Sequence, residues 1–212
     1  MTLEKSLNPG RHPELRDQVL ERQLHRFECP SCKRRLVIDC DVFWFDFHRK
    51  QFIGVFPTAL RHQPERWEPV LASTFQFTMK EHAPRFVQQY ADGFFVRTCF
   101  GVEELREKLV AHEAGLDDFL LEVLKAELLT SHPELIDRGV VTMRLDSFLD
   151  DGSLVLLPEG YDGTLAGDPP ILIGAKRELY DALVPLRDQL LRDRSAIVSG
   201  SHISLRRLAD AT

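Results

Sequence analysis

The sequence has no long hydrophobic run, since its most apolar stretch, Ser153–Pro158, is far shorter than the ~18 residues of a membrane-spanning helix. Cysteine is scarce, with 4 among 212 residues, and no apolar segment follows a basic one at the beginning of the chain, as it would in a secretory signal. A disulfide framework is therefore not expected. We expect a cytoplasmic protein without a membrane segment.

Motifs that accompany catalysis are also missing. The 8 histidines include no His-x-x-x-His pair, which would place two metal ligands on one face of a helix. There is no glycine-rich phosphate loop and no Gly-x-Ser-x-Gly turn around a serine nucleophile. We assign no catalytic residue, which favours a protein that is not an enzyme without deciding the question.

Positive charge is in deficit, because 27 Lys and Arg stand against 33 Asp and Glu, a formal charge of −6. A general nucleic-acid binder needs clustered cations to replace the counterions of phosphate, so the composition argues against this class. Residues 1–66 nevertheless carry 12 basic and 9 acidic residues. A small basic patch at Arg26, Lys33, Arg34 and Arg35 could contact an acidic partner. The alternatives are a solvated turn with scattered charges and, more weakly, contact with nucleic acid.

The composition, with 43% apolar residues, 12 Gly and 12 Pro, suits a packed core rather than a disordered chain. His12-Pro-Glu-Leu predicts a first helix that ends near Gln23. Residues 24–57 are short β-branched and aromatic segments, which predict an antiparallel meander. The polar stretch His48–Gln51 connects two of these segments and predicts a hairpin.

The segment 58–80 begins directly after Pro57 and contains Pro64 and Pro69. Because proline interrupts regular structure, we expect a loop or a lid here, with a strand at 73–78 as a further possibility. A short helix is expected at 81–91, and Phe94–Phe100 has the pattern of a strand.

The second half of the chain has stronger helical patterns. Val102–His112 and Leu116–Leu129 carry apolar residues at helical spacing, with Gly115 between them. Val140–Phe148 and Leu154–Leu157 predict a hairpin, and Ala175–Arg192 predicts a helix that Pro185 should kink or split. Strands and helices occur in blocks, so the fold class is predicted to be α+β.

Aromatic residues are concentrated between positions 27 and 56. Packing in a core explains this band better than a platform for stacking bases, since the sheet is apolar on both faces. Asp46 lies within the band, and exposure at the end of the hairpin beside His48 and Arg49 is the simplest account of it. The band consists of Phe27, Phe43, Trp44, Phe45, Phe47, Phe52 and Phe56.

Cys29-Pro30-Ser31-Cys32 is the motif with the most specific chemistry. Two thiolates at this spacing supply half of a tetrahedral zinc site. A thioredoxin-like redox pair is the usual competitor, but it places its first cysteine at the beginning of a helix. Here Lys33–Ile38 has the pattern of a strand, so a zinc knuckle is favoured.

The chain resembles the CpXC-domain proteins, a family of bacterial and archaeal proteins with Cys-Pro-x-Cys motifs. The resemblance covers roughly residues 10–130. It rests on Phe27–Cys32, Phe43–Asp46, Phe52–Pro57, Phe95–Thr98, Glu103–Lys108 and Gly115–Lys125. It implies a CpXC-like domain at 1–130, with a hairpin-plus-helix extension at 131–212 that is expected to pack on it.

The family pattern has two Cys-Pro-x-Cys motifs, which together resemble a four-cysteine metal site, and this chain has one. Lys33 also stands where such knuckles usually have glycine. The resemblance implies that Cys29 and Cys32 are metal ligands, with zinc as the possible cofactor. A vestigial knuckle without metal is the alternative.

The missing ligands cannot come from the neighbouring sequence if that sequence is extended. At ~3.3 Å per residue, Cys40 would lie about 26 Å from Cys32, and His25 about 13 Å from Cys29. The candidates are then Cys99, His48 and His62, brought close by folding, or thiols of a second chain in a homodimer.

Asp117 and Asp118 begin a predicted helix on which Glu122 and Lys125 follow. A helix cap and pairs on the helix surface explain these residues. Because Asp117 and Asp118 lie in a segment that resembles the family, they are also candidates for contact with a partner. Together these features favour a non-catalytic interaction or adaptor module on a degenerate zinc-knuckle scaffold. The alternative is a metal- or thiol-dependent enzyme that uses Cys29 and Cys32.

Overall fold

The strands of the N-terminal half form one sheet and a separate ribbon in the computed structural model, which describes residues 5–160, 163–167 and 169–209. Unit 1 takes in the described residues up to Arg106 together with Gly200–His202, and unit 2 takes in the remainder. The predicted boundary at residue 130 stays a prediction, because a division by spatial proximity does not test which parts fold on their own.

The main sheet of unit 1 has the strand order β1-β4-β5-β6. β4 and β5 are antiparallel, as predicted, whereas β1 runs parallel to β4 and β6 runs parallel to β5. The strands are β1 (Ser6–Leu7), β4 (Val42–Asp46), β5 (Gln51–Phe56) and β6 (Phe95–Phe100), and the antiparallel ribbon is formed by β2 (Arg26–Glu28) and β3 (Arg35–Val37).

One face of the main sheet is covered by helices. The helices of unit 1 are α1 (Glu14–Leu20), α2 (Pro64–Phe75), a π-helical turn at Gln76–Glu81 and α3 (Arg85–Tyr90). Leu71 and Met79 pack with Phe52 and its aromatic neighbours in the core. The aromatic band therefore serves core packing, as predicted, except at Phe27, which lies in the ribbon.

The expectation of a loop or lid at 58–80, or of a strand at 73–78, is wrong. Pro64 occupies the first turn of α2, where its missing N–H costs nothing, and Pro69 is accommodated inside the helix. Trp67 and Phe75 lie four residues either side of the fully buried Leu71. Their rings pack on Phe56 and Phe52 at centroid distances of 5.1 and 5.2 Å. Packing of this i, i+4, i+8 stripe outweighs the hydrogen bond lost at Pro69.

The expected exposure of Asp46 is also wrong, because its side chain is only 2% exposed. It accepts a hydrogen bond from the backbone N–H of Arg49 at 3.0 Å and pairs with the Arg49 guanidinium at 3.3 Å. The carboxylate thus stabilises the hairpin turn between β4 and β5, and these partners offset the cost of its burial.

Helix α4 (Val102–Glu113) contains the division between the units, and α5 (Asp118–Ser131) is the central helix of unit 2. Gly115, at φ +66°, ends the turn after α4 in the left-handed region that glycine tolerates. Unit 2 also contains α6 (Pro133–Ile136), α7 (Arg177–Asp181), α8 (Arg187–Asp193), α9 (Arg206–Ala209) and an antiparallel sheet of β7 (Val140–Phe148), β8 (Leu154–Gly160) and β9 (Ile173–Ala175).

The predicted hairpin of the C-terminal part is confirmed by the pairing of β7 with β8. The predicted helix over Ala175–Arg192 is split at Pro185, where a 3₁₀ turn separates α7 from α8. The α+β class is confirmed. None of the helices in the described part of the chain combines the length and the apolarity that crossing a bilayer requires.

Candidate interaction ribbon and cysteine knuckle

The ribbon, which we define as residues Arg26–Val37, is a short antiparallel hairpin. Phe27 lies opposite Leu36, and these two side chains share one face. Arg26 lies opposite Val37 and Glu28 opposite Arg35, on the other face. One face is therefore apolar and the other mostly charged.

The apolar residues of β3 are unusually accessible for a strand. Leu36 is 54% exposed and Val37 is 62% exposed. Within the described residues, no third strand pairs with β2 or β3. An isolated two-stranded hairpin has little stability of its own and presents unpaired backbone groups along its edges.

The Cys29–Cys32 knuckle forms the tip of the ribbon. The N–H of Lys33 donates to the carbonyl of Cys29 at 2.9 Å, and the N–H of Cys29 donates to the carbonyl of Arg34 at 2.8 Å. Lys33 adopts φ 58°, a left-handed conformation that costs a non-glycine residue roughly 1–2 kcal/mol. The turn thus keeps the knuckle shape although lysine replaces the expected glycine.

The two thiols differ in their surroundings. The backbone N–H groups of Cys32 and Ser31 face the sulfur of Cys29 and lower the pKa of this thiol. The thiolate is the form that binds metals and attacks electrophiles. Cys29 is half-buried, and Cys32 is exposed. The tip therefore presents two accessible sulfur atoms, and the thiol of Cys29 ionises more readily than an ordinary cysteine.

His25 and Cys40 lie together at the opposite end of the ribbon, where the N–H of Ile38 donates to the carbonyl of His25. The Cys40 sulfur is 3.7 Å from His25 Nδ1. Burial lowers the pKa of His25, and burial together with Asp41 and Asp39 raises the pKa of Cys40. A neutral imidazole and a protonated thiol are thus joined by a weak hydrogen bond, and neither residue reaches the knuckle.

The four-cysteine metal site that the family resemblance implies does not fit within one copy of the described chain. No three His, Cys, Asp or Glu side chains of the described residues converge on a point where a metal ion could bind. Cys99 is fully buried in β6, and His48 and His62 are exposed outside the ribbon. Cys29 and Cys32 thus supply two ligands only.

The four basic residues of the predicted patch all belong to the ribbon. Arg26 lies 4.0 Å from Glu103, and Lys33 lies 3.5 Å from Glu28. Arg34 and Arg35 are exposed and make no ion pair with any described residue. Two of the four charges are thus available to an external partner.

Asp117 and Asp118 lie in unit 2 and are engaged within it. Asp117 caps α5 by accepting from the N–H groups of Phe119 and Leu120, which confirms the predicted cap. Its other oxygen pairs with Arg187 at 2.7 Å. Asp118 is 5% exposed and lies 3.4 Å from Lys108. These contacts give both aspartates structural roles.

Two clefts border the ribbon. The larger, of about 530 Å³, is lined by Leu7, His12, Glu14, Leu15, Gln18, Gln23, Leu24, His25, Arg26 and Phe27. The smaller, of about 260 Å³, is lined by Gln23, Arg26, Phe27, Glu28 and Arg35. Side chains of a bound segment would find room there.

Leu36 and Val37 are the candidate binding residues that the sequence analysis missed. They lie within Arg35–Ile38, which has the pattern of a strand inside a larger meander. The signal that could have separated them is the row of three basic residues, Lys33–Arg35, directly before them. A strand bordered by that much charge is more often at an edge than in a core.

Comparison with known protein families matches residues 1–125 to the CpXC protein family. No curated protein sequence and no solved structure matches the chain. The family match covers more than half of the 212 residues and includes the knuckle and every strand of unit 1. The chain belongs to the CpXC family.

Proposed function

We propose that the protein is a non-catalytic interaction module that binds an acidic, extended segment of a partner protein along the ribbon. The observation that carries the proposal is the exposure of Leu36 and Val37, at 54% and 62%, on a strand with no neighbour on its outer edge among the described residues. An added strand would satisfy the backbone groups of β3 and cover these side chains.

The charge of the ribbon supports an acidic partner. Arg34 and Arg35 follow the knuckle, and Arg35 shares the charged face with Val37. Acidic side chains of a bound strand would meet these guanidinium groups, which steers association and selects among partners. The cytoplasm, where thiols stay reduced, is the compartment we propose for this function.

Affinity capture from cell extract with two ribbon variants tests the proposal. Leu36→Ser/Val37→Ser removes the apolar contact, and Arg34→Glu/Arg35→Glu reverses the charge. Leu149→Ser is the matched control, because Leu149 is also exposed, at 55%, but lies in the hairpin turn of unit 2. We expect one partner to be retained by the wild type and the control and lost from both ribbon variants.

Hydrogen exchange on the captured complex locates the contact. The amides of Arg35–Val37 should become protected, and the partner's protected segment should be rich in Asp and Glu. Raising the salt concentration should weaken the complex, since its charges are exposed. Equal capture by all variants, or protection confined to other parts of the chain, would overturn the proposal.

A metal- or thiol-dependent enzyme that uses Cys29 and Cys32 is the second candidate, and the lowered pKa of Cys29 favours it. A Cys29→Ser/Cys32→Ser variant separates the two functions. An enzyme would lose its chemistry with the fold retained, whereas the interaction module would keep its partner.

A further inference from the structure

The knuckle is built as half of a metal site although one chain does not complete it. Its turn is closed by the hydrogen bonds from Lys33 N–H to Cys29 and from Cys29 N–H to Arg34. Lys33 holds the left-handed conformation that this turn requires at an energetic cost. The turn thus holds Cys29 and Cys32 together at the ribbon tip.

The rest of the described chain offers no third ligand at the tip. His25 and Cys40 contact each other at the other end of the ribbon, and Cys99 is buried in the main sheet. A tetrahedral zinc ion bound by thiolates needs four ligands, which is twice what the knuckle supplies. The exposed position of Cys32 allows a second tip to approach.

We infer that the knuckles of two copies of the chain bind one Zn²⁺ between them, with Cys29 and Cys32 of each copy as the four ligands. Each thiol loses its proton to solvent, so four protons leave as one ion binds. The resulting tetrathiolate centre has a net charge of −2. Lys33 and Arg34 next to each knuckle offset this charge and reduce the repulsion between the two basic tips.

The metal would also supply the stability that the ribbon lacks. A two-stranded hairpin packed on little else is marginally stable, and a zinc ion that joins two tips restrains both hairpins at their turns. This inference goes beyond the proposed function, because it concerns the ribbon tip and a second copy rather than the edge of β3 and a partner protein.

The test measures mass and zinc content together on the untagged full chain in the presence of a phosphine reductant. Zn²⁺ is added, excess ion is removed, and the mass is determined by light scattering after gel filtration. We expect a dimer with 0.5 zinc per chain that returns to monomer when a chelator is added. Co²⁺ in place of Zn²⁺ should give the absorption spectrum of a tetrahedral tetrathiolate.

Four variants make the assignment specific. Cys29→Ser and Cys32→Ser should each lose both the zinc and the dimer, while Cys40→Ser should keep both, because Cys40 lies at the other end of the ribbon. Leu36→Ser/Val37→Ser should also keep the zinc dimer, so failure of the proposed function and failure of this inference are distinguishable. A monomer with one zinc per chain, a dimer that forms without zinc, or no binding at equimolar zinc would each overturn it.

Discussion

The ammonium group of Lys125 lies 2.6 Å from a carboxylate oxygen of Glu107, and the side chains are only 2% and 7% exposed. A second carboxylate, from Glu122, lies 2.5 Å from the same ammonium group. Burial alone would lower the pKa of Lys125, but attraction to Glu107 and Glu122 raises it above its ordinary value. The lysine is therefore charged inside unit 2.

Replacement of this lysine should strongly destabilise unit 2. Lys125→Met leaves two buried carboxylates without their shared cation, which we expect to cost about 3–5 kcal/mol in the free energy of unfolding. Urea denaturation measures the loss, and Lys176→Met, at an exposed position, is the control with little expected effect. If Lys125→Met lowered the free energy of unfolding as little as the control does, the stabilising role of the buried ion pairs would be contradicted.

A rescue variant tests the cause of the loss. Glu107 and Glu122 also accept hydrogen bonds from the N–H groups of Leu145 and Leu205. Glutamine at both positions keeps these acceptors and removes the charges, so Lys125→Met/Glu107→Gln/Glu122→Gln should recover part of the lost stability. Equal instability of the single and triple variants would indicate a packing defect instead.

Local patterns predicted much of this fold, and the misses have identifiable physical causes. The hairpins and α5 were predicted from the spacing of their apolar residues, which is a property of the local sequence and does not depend on tertiary contacts. Helix α2 is not predicted, because Pro64 and Pro69 indicate a loop more strongly than the helical spacing of Trp67, Leu71 and Phe75 indicates a helix. The sequence predicts that Glu122 and Lys125 pair on a helix surface, because a spacing of three residues does not reveal burial.

At the candidate site, too, only the features that depend on local sequence could be predicted. The knuckle was predicted from Cys29 and Cys32 alone, because its chemistry is contained in four consecutive residues. The separation of the ribbon from the main sheet depends on which strands pair, and strand pairing is non-local. The pattern of Leu36 and Val37 themselves therefore does not reveal their exposure, and the only local signal is the basic row Lys33–Arg35 before them.

Stability in acid should depend on Glu104. Burial alone would raise its pKa, but His202, Arg61 and the N–H of Phe100 together lower it from 4.5 to about 2. A lowered folded-state pKa contributes stability above pH 4.5, and this contribution is lost as the pH falls from 4.5 towards 2. At neutral pH the contribution is about 3 kcal/mol.

Urea denaturation of the wild type and of Glu104→Gln between pH 7 and pH 2 tests whether the ionised Glu104 stabilises the protein. The difference between the two proteins should be largest and constant above about pH 5 and should shrink below it. A difference that stays the same throughout would show that the loss comes from packing rather than from ionisation.

Gly54 should not tolerate a side chain, because α2 packs closely on β5. A Cβ atom at this position would lie 2.9 Å from Leu71 Cδ1 and 3.2 Å from the ring of Phe56. We expect Gly54→Ala to lower the free energy of unfolding by about 1–3 kcal/mol through overpacking. Gly174→Ala in β9 is the matched control, because a Cβ there has no atom within 4 Å. Equal melting temperatures of both variants would contradict the close packing of α2.

Asp117 combines a helix cap with an ion pair, and two substitutions separate these roles. Asp117→Ala removes both, including the hydrogen bonds from the N–H groups of Phe119 and Leu120, and should cost about 1–2 kcal/mol. Asp117→Asn keeps a cap but loses the charge opposite Arg187. That pair is partly exposed, with side-chain exposures of 44% and 30%, so its loss should cost at most about 1 kcal/mol.

Denaturant unfolding of the two variants therefore ranks the contributions of Asp117. We expect Asp117→Asn to lie between the wild type and Asp117→Ala and closer to the wild type, with a difference that disappears in high salt. The loss in Asp117→Ala should persist in salt, since the cap is a short-range hydrogen bond. If both variants lost the same stability, the ion pair with Arg187 rather than the cap would hold the beginning of α5.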